Sequence, residues 1–307
     1  MSYSRNVLCI CALLLLMPWA TRLRADTPTS KEILAQSTAA EWRSLDPAQT
    51  LVMQLHGNRR VVIELAPDWA PEHVANIKTL VRQRYFDHTS VYRVQDNFVA
   101  QWGDPDSDNP AKAKPMGKAR TKLPPEFTRD SASDFEFTLL PDGDLYAPEV
   151  GFSDSLPVAR NRLAGKAWLA HCYGMVGVAR DVDPESGNGN TLYVPIGQAP
   201  RRLDHQLAVV GRVVEGMPWL ASLPRGPEPM GVYTDPEQQT AIESIRLATS
   251  LPESQRPRLQ VLRSDSASFA RLVEAKRNRK GPFYRFPVGH IGLCDVPLPV
   301  REAPQAP

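Results

Sequence analysis

The fold is decided by the stretch from Val61 to Pro105, "VVIELAPDWAPEHVANIKTLVRQRYFDHTSVYRVQDNFVAQWGDP". It opens as an aliphatic strand carrying one acid. Pro71 follows at a position that suits the first turn of a helix, where a missing N–H costs nothing. Val74, Ile77, Leu80 and Val81 then recur at helical spacing. From Tyr92 the chain reads as strand again, and it ends in the turn residues Gly103, Asp104 and Pro105. That second strand region holds Arg93, Phe98 and Gln101, residues that a strand bound only for a core has no reason to carry. Arg93 and Gln101 are an even number of positions apart, so a regular strand puts both on one face. Phe98 is an odd number from each, and a bulge or turn at Gln95–Asn97 is needed to bring it to the same side.

Outward from this stretch, "TLVMQLHGNRR" predicts two strands around the turn at His56, Gly57 and Asn58. Thr29 and Glu32 have capping-box spacing, and "ILAQSTAAEWRSL" is expected to continue as a short helix. Between Asp106 and about Ala164 periodicity is poor, which predicts long connections with one or two short strands. "AWLAHCYGMVGVARD", "GNGNTLYVPIG" and "IESIRLAT" restore the strand pattern, and "HQLAVVGRVVEGMPWLASL" gives a strand and a short helix. In the tail, "PRLQVLRSD" is a strand candidate. "SASFARLVEAKRNRK" is a helix with Phe269, Leu272 and Val273 on one face. Its basic end, Lys276 to Lys280, lies where a helix C-terminus favours positive charge, and it reads as a solvated face.

At 307 residues, 42% hydrophobic and 23% charged, the chain can bury a sizeable core. Its 29 prolines cluster in short polar stretches and predict long ordered loops. The start is different: polar "MSYSRN", then an apolar run from Val7 to Ala20, too short to span a bilayer comfortably. With small residues after it, the run reads as a secretory signal peptide ending at Ala25. Its removal takes away Arg5, Arg22 and Arg24 and no acid, so the formal charge of +2 becomes −1. Such a chain offers no electrostatic case for nucleic acid or an anionic membrane, and no stable membrane insertion is expected after removal of the leader. Of the four cysteines Cys172 and Cys294 would remain. In an exported protein a disulfide between them is reasonable and would tie down the tail. Two cysteines so far apart make no zinc site alone, and no histidine cluster joins them. The acids of "DFEFTLLPDGD" fit no EF-hand spacing, and no serine elbow supports a hydrolase.

The Val61–Pro105 stretch resembles the N-terminal half of a cyclophilin, a peptidyl-prolyl cis–trans isomerase. The shared order is an Ile-Glu-Leu strand, Ala-Pro before a helix bearing an Asn, an aromatic-Asp turn, then aromatic-Arg-Val, Phe, Gln and Gly-Asp at fixed intervals. "GMVGVARD", "GNGNTLYVPIG" and "LDHQLAVVGRVVEGM" resemble the later blocks in the same order. The resemblance covers roughly residues 50–105 and 168–247. It implies a mainly β fold, a closed antiparallel barrel of about eight strands capped by two helices. To this the chain adds a long insert at about 107–166 and a C-terminal extension. The expected division is a leader over 1–25, a helical extension over 26–48, the barrel domain over 49–250 and the tail over 251–307.

The activity implied is acceleration of X–Pro isomerisation in exported proteins during folding, without metal or cofactor. Arg93, Phe98 and Gln101 take the catalytic positions. Val99 stands where the family commonly has methionine, Tyr193 where it has phenylalanine, Leu203 at a common pocket leucine, and Leu207 where many members have histidine. Ala179 and Arg180 replace a common Ala-Asn beside the peptide groove. Thr191 replaces a glutamine that helps hold the substrate backbone, and Tyr92 replaces a frequent histidine. Arg202 occupies the place of a tryptophan that favours cyclosporin, so weak cyclosporin binding is expected. The leader points to a bacterial periplasm. "PDGDLYAPEVGFSDSLPVARN" reads either as a lid or rim beside the groove or as a packed surface loop. The competing reading is a low-activity binding or chaperone module for Pro-containing segments.

Overall fold

A computed structural model describes residues 28–304, apart from 108, 110, 199, 281 and 282. The signal peptide read over residues 1–25, with Cys9 and Cys11, lies outside the described residues. Helix α1 (Ser30–Ala35) begins with the expected capping box, Thr29 and Glu32 each accepting from the other's backbone N–H. It ends after six residues. The helix expected to run on through Leu45 gives way to a 3-10 turn, Ala39–Glu41, and strand β1, Trp42–Ser44. The turn has a reciprocal box of its own, Thr38 with Glu41.

Eight strands then build the barrel, interrupted by the insert. They are β2 (Thr50–Leu55), β3 (Arg59–Leu65), β4 (Thr89–Val94) and β5 (Val99–Gly103), and, beyond the insert, a second set of four. Helix α2, Pro71–Arg82, separates β3 from β4 and starts on Pro71. The insert carries β6 (Arg129–Asp130), β7 (Thr138–Leu139), β8 (Glu149–Ser153), β9 (Leu156–Asn161) and β10 (Lys166–Leu169). The barrel resumes with β11 (Met175–Val178), β12 (Thr191–Pro195), β13 (Val209–Glu215), the short helix α3 (Met217–Ala221) and β14 (Thr240–Leu247). The tail holds β15 (Leu259–Leu262), α4 (Ala267–Arg277) and β16 (Val300–Glu302).

The barrel closes in the order β11-β12-β5-β4-β14-β2-β3-β13, every pairing antiparallel. This is the mainly β, eight-stranded closed barrel that the sequence predicts. Its interior takes Met53, Ile63, Val91, Trp102, Val176, Val194, Val210 and Ile245 from successive strands. The stripe Val74, Ile77, Leu80 and Val81 of α2 packs into the same core. Burying an aliphatic side chain contributes about 1.5–3 kcal/mol, so closure of such a ring is the main stabilising event.

The insert is more ordered than its sequence predicts. Its five strands form one sheet in the order β6-β10-β9-β8-β7, where only one or two were expected. Phe152, Val158 and Trp168 from this sheet join Ile33, Trp42, Phe269 and Leu272 in a second core, separate from that of the barrel. The strand pattern read over "AWLAHCYGMVGVARD" resolves into two strands, β10 in this sheet and β11 in the barrel. A third sheet, β1-β15-β16, joins the extensions at both ends of the domain. Cys172 is bonded to Cys294 across a sequence separation of 122, fixing the tail beside the start of β11.

One ion cluster, buried at Glu64 and Arg212, spans these layers. Glu64 of β3 accepts from Arg43 of β1 and from Arg212 of β13, and Arg43 also pairs with Asp154 of the insert. In the tail the basic end of α4 is not wholly solvated: Arg277 makes a two-pronged pair with buried Asp142 of the insert, which also accepts from the Ile291 N–H.

Candidate active site

Arg93 and Gln101 share a face for a different reason than spacing along one strand. They lie on neighbouring strands, β4 and β5, directly opposite each other in the ladder. The turn needed at Gln95–Asn97 is present: Asn97 adopts φ 48° and the Phe98 N–H donates to the Gln95 carbonyl. Asn tolerates that left-handed conformation better than a branched residue. A register shift between Val91 and Arg93 turns the arginine outward. Phe98, half-buried, leaves the turn on the same side, 5.6 Å from the Arg93 guanidinium.

The Arg93 guanidinium is held on three sides. Nη1 donates to Gln101 Oε1 at 3.0 Å, Nε to the Met230 carbonyl at 2.7 Å, and Nη2 to Gln95 Oε1. Gln101 is fixed in turn, its Nε2 donating to the Tyr92 hydroxyl at 2.6 Å, and Gln95 Nε2 donates to the Pro229 carbonyl at 3.0 Å. A guanidinium has five N–H donors; three are engaged here, which leaves one on each Nη. No carboxylate neutralises it among the described ion pairs. Burial pulls the group down from its ordinary value near 12.5 and the Tyr92 phenol opposes this, but arginine stays cationic at any working pH.

The next wall comes from β12. Tyr193 pairs with Gln101 in the ladder and is buried on the outer side of the barrel, while its neighbours Leu192 and Val194 enter the core. Val99, opposite Pro195, is buried on the same outer side. The Tyr193 ring lies over Gly177 so closely that a Cβ there would stand 2.2 Å from Cζ. Burial, with the nearby Asp204 carboxylate, pushes the phenol well above its usual 10, so it stays a neutral donor. Arg202 closes the third side, exposed, with its guanidinium 4.8 Å from the Phe98 ring. Leu203, half-buried, is beside it in the 3-10 turn Arg201–Leu203, and half-buried Leu207 follows.

The residues expected to flank the peptide are arranged differently. Ala179 and Arg180 are half-buried at the end of β11, and the Ala179 N–H donates to the Thr191 carbonyl. Arg180 is occupied by carbonyls of its own surroundings: Nε donates to Gln206 and Nη1 to Asp181 and Val182. Thr191 is buried, its hydroxyl without a partner and against Gly103. Its short side chain therefore does not present a donor to the surface. Gly103 itself has φ +142° and no room for a side chain, with the Asn190 carbonyl 2.5 Å from where a Cβ would be.

Several supports are not singled out by sequence reasoning. Gln95 had a legible signal, since it stands two positions from Arg93 and so shares its face. Tyr92 reads only as the replacement of a frequent histidine, yet it orients Gln101. The Met230 and Pro229 carbonyls come from a distant loop and leave no trace in local pattern. Two cavities, of about 370 and 600 Å³, lie elsewhere, around Met217 and Leu298 and around Tyr284 and Phe286. Neither is lined by a residue of this cluster. The described residues bring together no group of three or more His, Cys, Asp or Glu able to hold a metal ion.

A closed eight-stranded antiparallel barrel with a braced arginine, an aromatic rim and an apolar floor on its outer face defines a prolyl isomerase of cyclophilin architecture. The family model described as "Cyclophilin type peptidyl-prolyl cis-trans isomerase/CLD" matches residues 50–247, and the chain belongs to that family. It is similar to proteins of Brucella suis and Brucella melitensis that carry the name "Probable peptidyl-prolyl cis-trans isomerase". Each is 29% identical over 189 residues, covering 60% of this chain and 75% of the relative. Among solved structures it is similar to the cyclophilin AquaCyp293 from Hirschia baltica, with 25% identity and a TM-score of 0.68. That likeness covers 91% of this chain and 99% of the other, so it takes in insert and tail as well as barrel.

Proposed function

We propose that Arg93 is the catalytic donor of this isomerase, and that Phe98, Val99, Tyr193, Leu203 and Leu207 form the apolar slot for the proline ring. The barrier to rotation about an amide is about 18–20 kcal/mol because of its partial double-bond character, and uncatalysed X–Pro exchange takes roughly 10–100 s. Lowering it needs no nucleophile, metal or cofactor. It needs groups that favour the twisted amide over the planar one, which is differential binding of the transition state. In the twisted amide the prolyl nitrogen regains its lone pair, and a fixed cationic donor beside it stabilises that state. The observation that carries this assignment is the three-sided brace on Arg93, which leaves N–H donors uncommitted next to the Phe98 ring. Gln101 is its positioning residue.

The expected clients are Pro-containing segments of exported proteins in a bacterial periplasm. The leader supports this, as does the Cys172–Cys294 bond, which suits an oxidising compartment. No nucleic acid partner is inferred. The division into a barrel domain over 49–250 and a tail over 251–307 is our reading, and the family match over 50–247 supports the former. Cyclosporin binding is expected to be weak, because exposed Arg202 stands over Phe98 where an indole would otherwise extend the apolar rim. The engaged Arg180 and buried Thr191 leave few donors for residues flanking the proline, so selectivity should rest on the proline slot.

The test is prolyl isomerisation of a short Ala-Pro peptide by the mature chain and by Arg93→Ala. Removing one preorganised donor at a reacting centre costs about 10²–10³ in kcat, and a loss of that size is expected. Equal rates would remove Arg93 from its role. A folded protein without activity in either form would leave a binding module for Pro-containing segments.

A further inference from the structure

We propose that the insert shapes the proline slot from behind, through a buried polar chain in which His171, Asp204, Arg201 and Asp144 act as positioning residues. The proposal rests on the reading of Tyr193 as a wall of that slot. Tyr193 carries a hydroxyl that an aromatic wall does not need, and the structure gives it one partner: His171 Nε2, at 2.8 Å. The two rings are nearly parallel, 5° apart, with centroids 6.1 Å apart. His171 is 1% exposed. Both its backbone N–H and its Nδ1 lie 3.0 Å from Asp204 Oδ1. A carboxylate only accepts, so Nδ1 carries a proton, and Nε2 shares its hydrogen bond with the Tyr193 oxygen. The Tyr193 oxygen is thereby engaged on the side away from the slot. The ring is tethered through it.

Asp204 passes the restraint on. Its Oδ2 accepts from Trp168 Nε1 at 3.0 Å and from Arg201 Nε at 2.6 Å, so both oxygens are fully engaged. Arg201 then makes a two-pronged pair with Asp144, at 2.9 and 3.0 Å. Asp144 lies in the insert, and Trp168 lies on β10 of the insert sheet. Arg201 and Asp204 flank Arg202 and Leu203 in sequence, so the same links clamp both ends of the turn that supplies the third wall. Two walls of one slot are thereby held by an element outside the barrel. Groups joined in one hydrogen-bonded network behave cooperatively, and removing a member is felt by the others.

The experiment compares Asp144→Asn with the unaltered mature chain in Ala-Pro isomerisation, with peptide affinity measured directly by calorimetry and thermal stability recorded alongside. Asp144 touches no substrate. Weakening its pair with Arg201 is expected to raise KM and the peptide Kd together by about three- to tenfold, with kcat within about twofold. A second variant, Tyr193→Phe, removes one hydroxyl and keeps the ring; it is expected to raise KM less, and the two effects should be non-additive when combined. Unchanged KM and Kd in a folded Asp144→Asn protein would overturn the proposal. So would a fall in apparent kcat alone that tracks loss of folded protein, since that is a structural effect only. If Asp144→Asn does not fold, unchanged KM and Kd in Tyr193→Phe overturn it equally. Failure of the Arg93 assignment shows in kcat of the unaltered chain against Arg93→Ala, and leaves the Kd comparison intact.

Discussion

Gly177 shows how one residue governs the placing of an aromatic ring, that of Tyr193. The resemblance places it in a strand block, but its necessity comes from a contact: Tyr193 Cζ would be 2.2 Å from any Cβ at that position. Overpacking of this kind costs about 1–3 kcal/mol when the neighbour must move. Gly177→Ala is expected to lower the melting temperature and to raise KM, because the ring can yield only toward the slot or by leaving His171. A variant with native stability and native KM would show that the ring has room to spare. At this scale the sequence is legible wherever chemistry is unusual for its setting, as with Arg93, Phe98 and Gln101 on strand-like segments. It is silent about Tyr92, Met230 and His171, whose roles depend on which strand or loop lies opposite.

Among elements, legibility follows the range of the contacts. Helix α2 and strands β2 and β3 were readable because their partners are close in sequence and their periodicity is clean. Strand β1 reads as helix because "AAEW" is locally helix-compatible, and its pairing with β15 is invisible in a window of neighbouring residues. In the insert, β6 and β7 are two residues each and β8 and β9 contain Gly151 and Pro157, so no period develops. What orders that region is tertiary: packing against Trp42, Phe269 and Leu272, and ionic contacts such as Asp142 with Arg277. The Arg277 N–H groups hold the Asp142 carboxyl below the usual range, burial opposes them, and the Ile291 N–H and His290 add to the lowering. A depressed folded value means a stabilising contribution fully present above the unfolded value of about 3.9, and lost as pH falls through the folded one. Thermal stability should therefore show an acid limb below about pH 4 that is shallower in Asp142→Asn. An identical limb in that variant would assign it to other carboxylates.

Across the whole molecule, the barrel is the part that pattern and resemblance foretell, because its strands follow one another around a closed ring. The two flanking sheets were not foreseen: β1-β15-β16 joins segments on both sides of the barrel sequence, and the insert sheet is built of short strands that interrupt it. Glu64 records that assembly: one carboxylate meets arginines of β1 and β13, and the β1 arginine reaches the insert. The Cys172–Cys294 bond carries a consequence for durability among proteases. It encloses four barrel strands, the Arg201 turn and α4 in one covalent ring, and that ring includes the exposed turn around Val182. A single cut at that turn should leave a nicked protein that migrates as one species until a reductant is added, and then as two fragments. Two bands without reductant would mean the bond is open in the isolated protein. An enzyme built this way survives its first cleavage in one piece, with its severed ends still held by the fold.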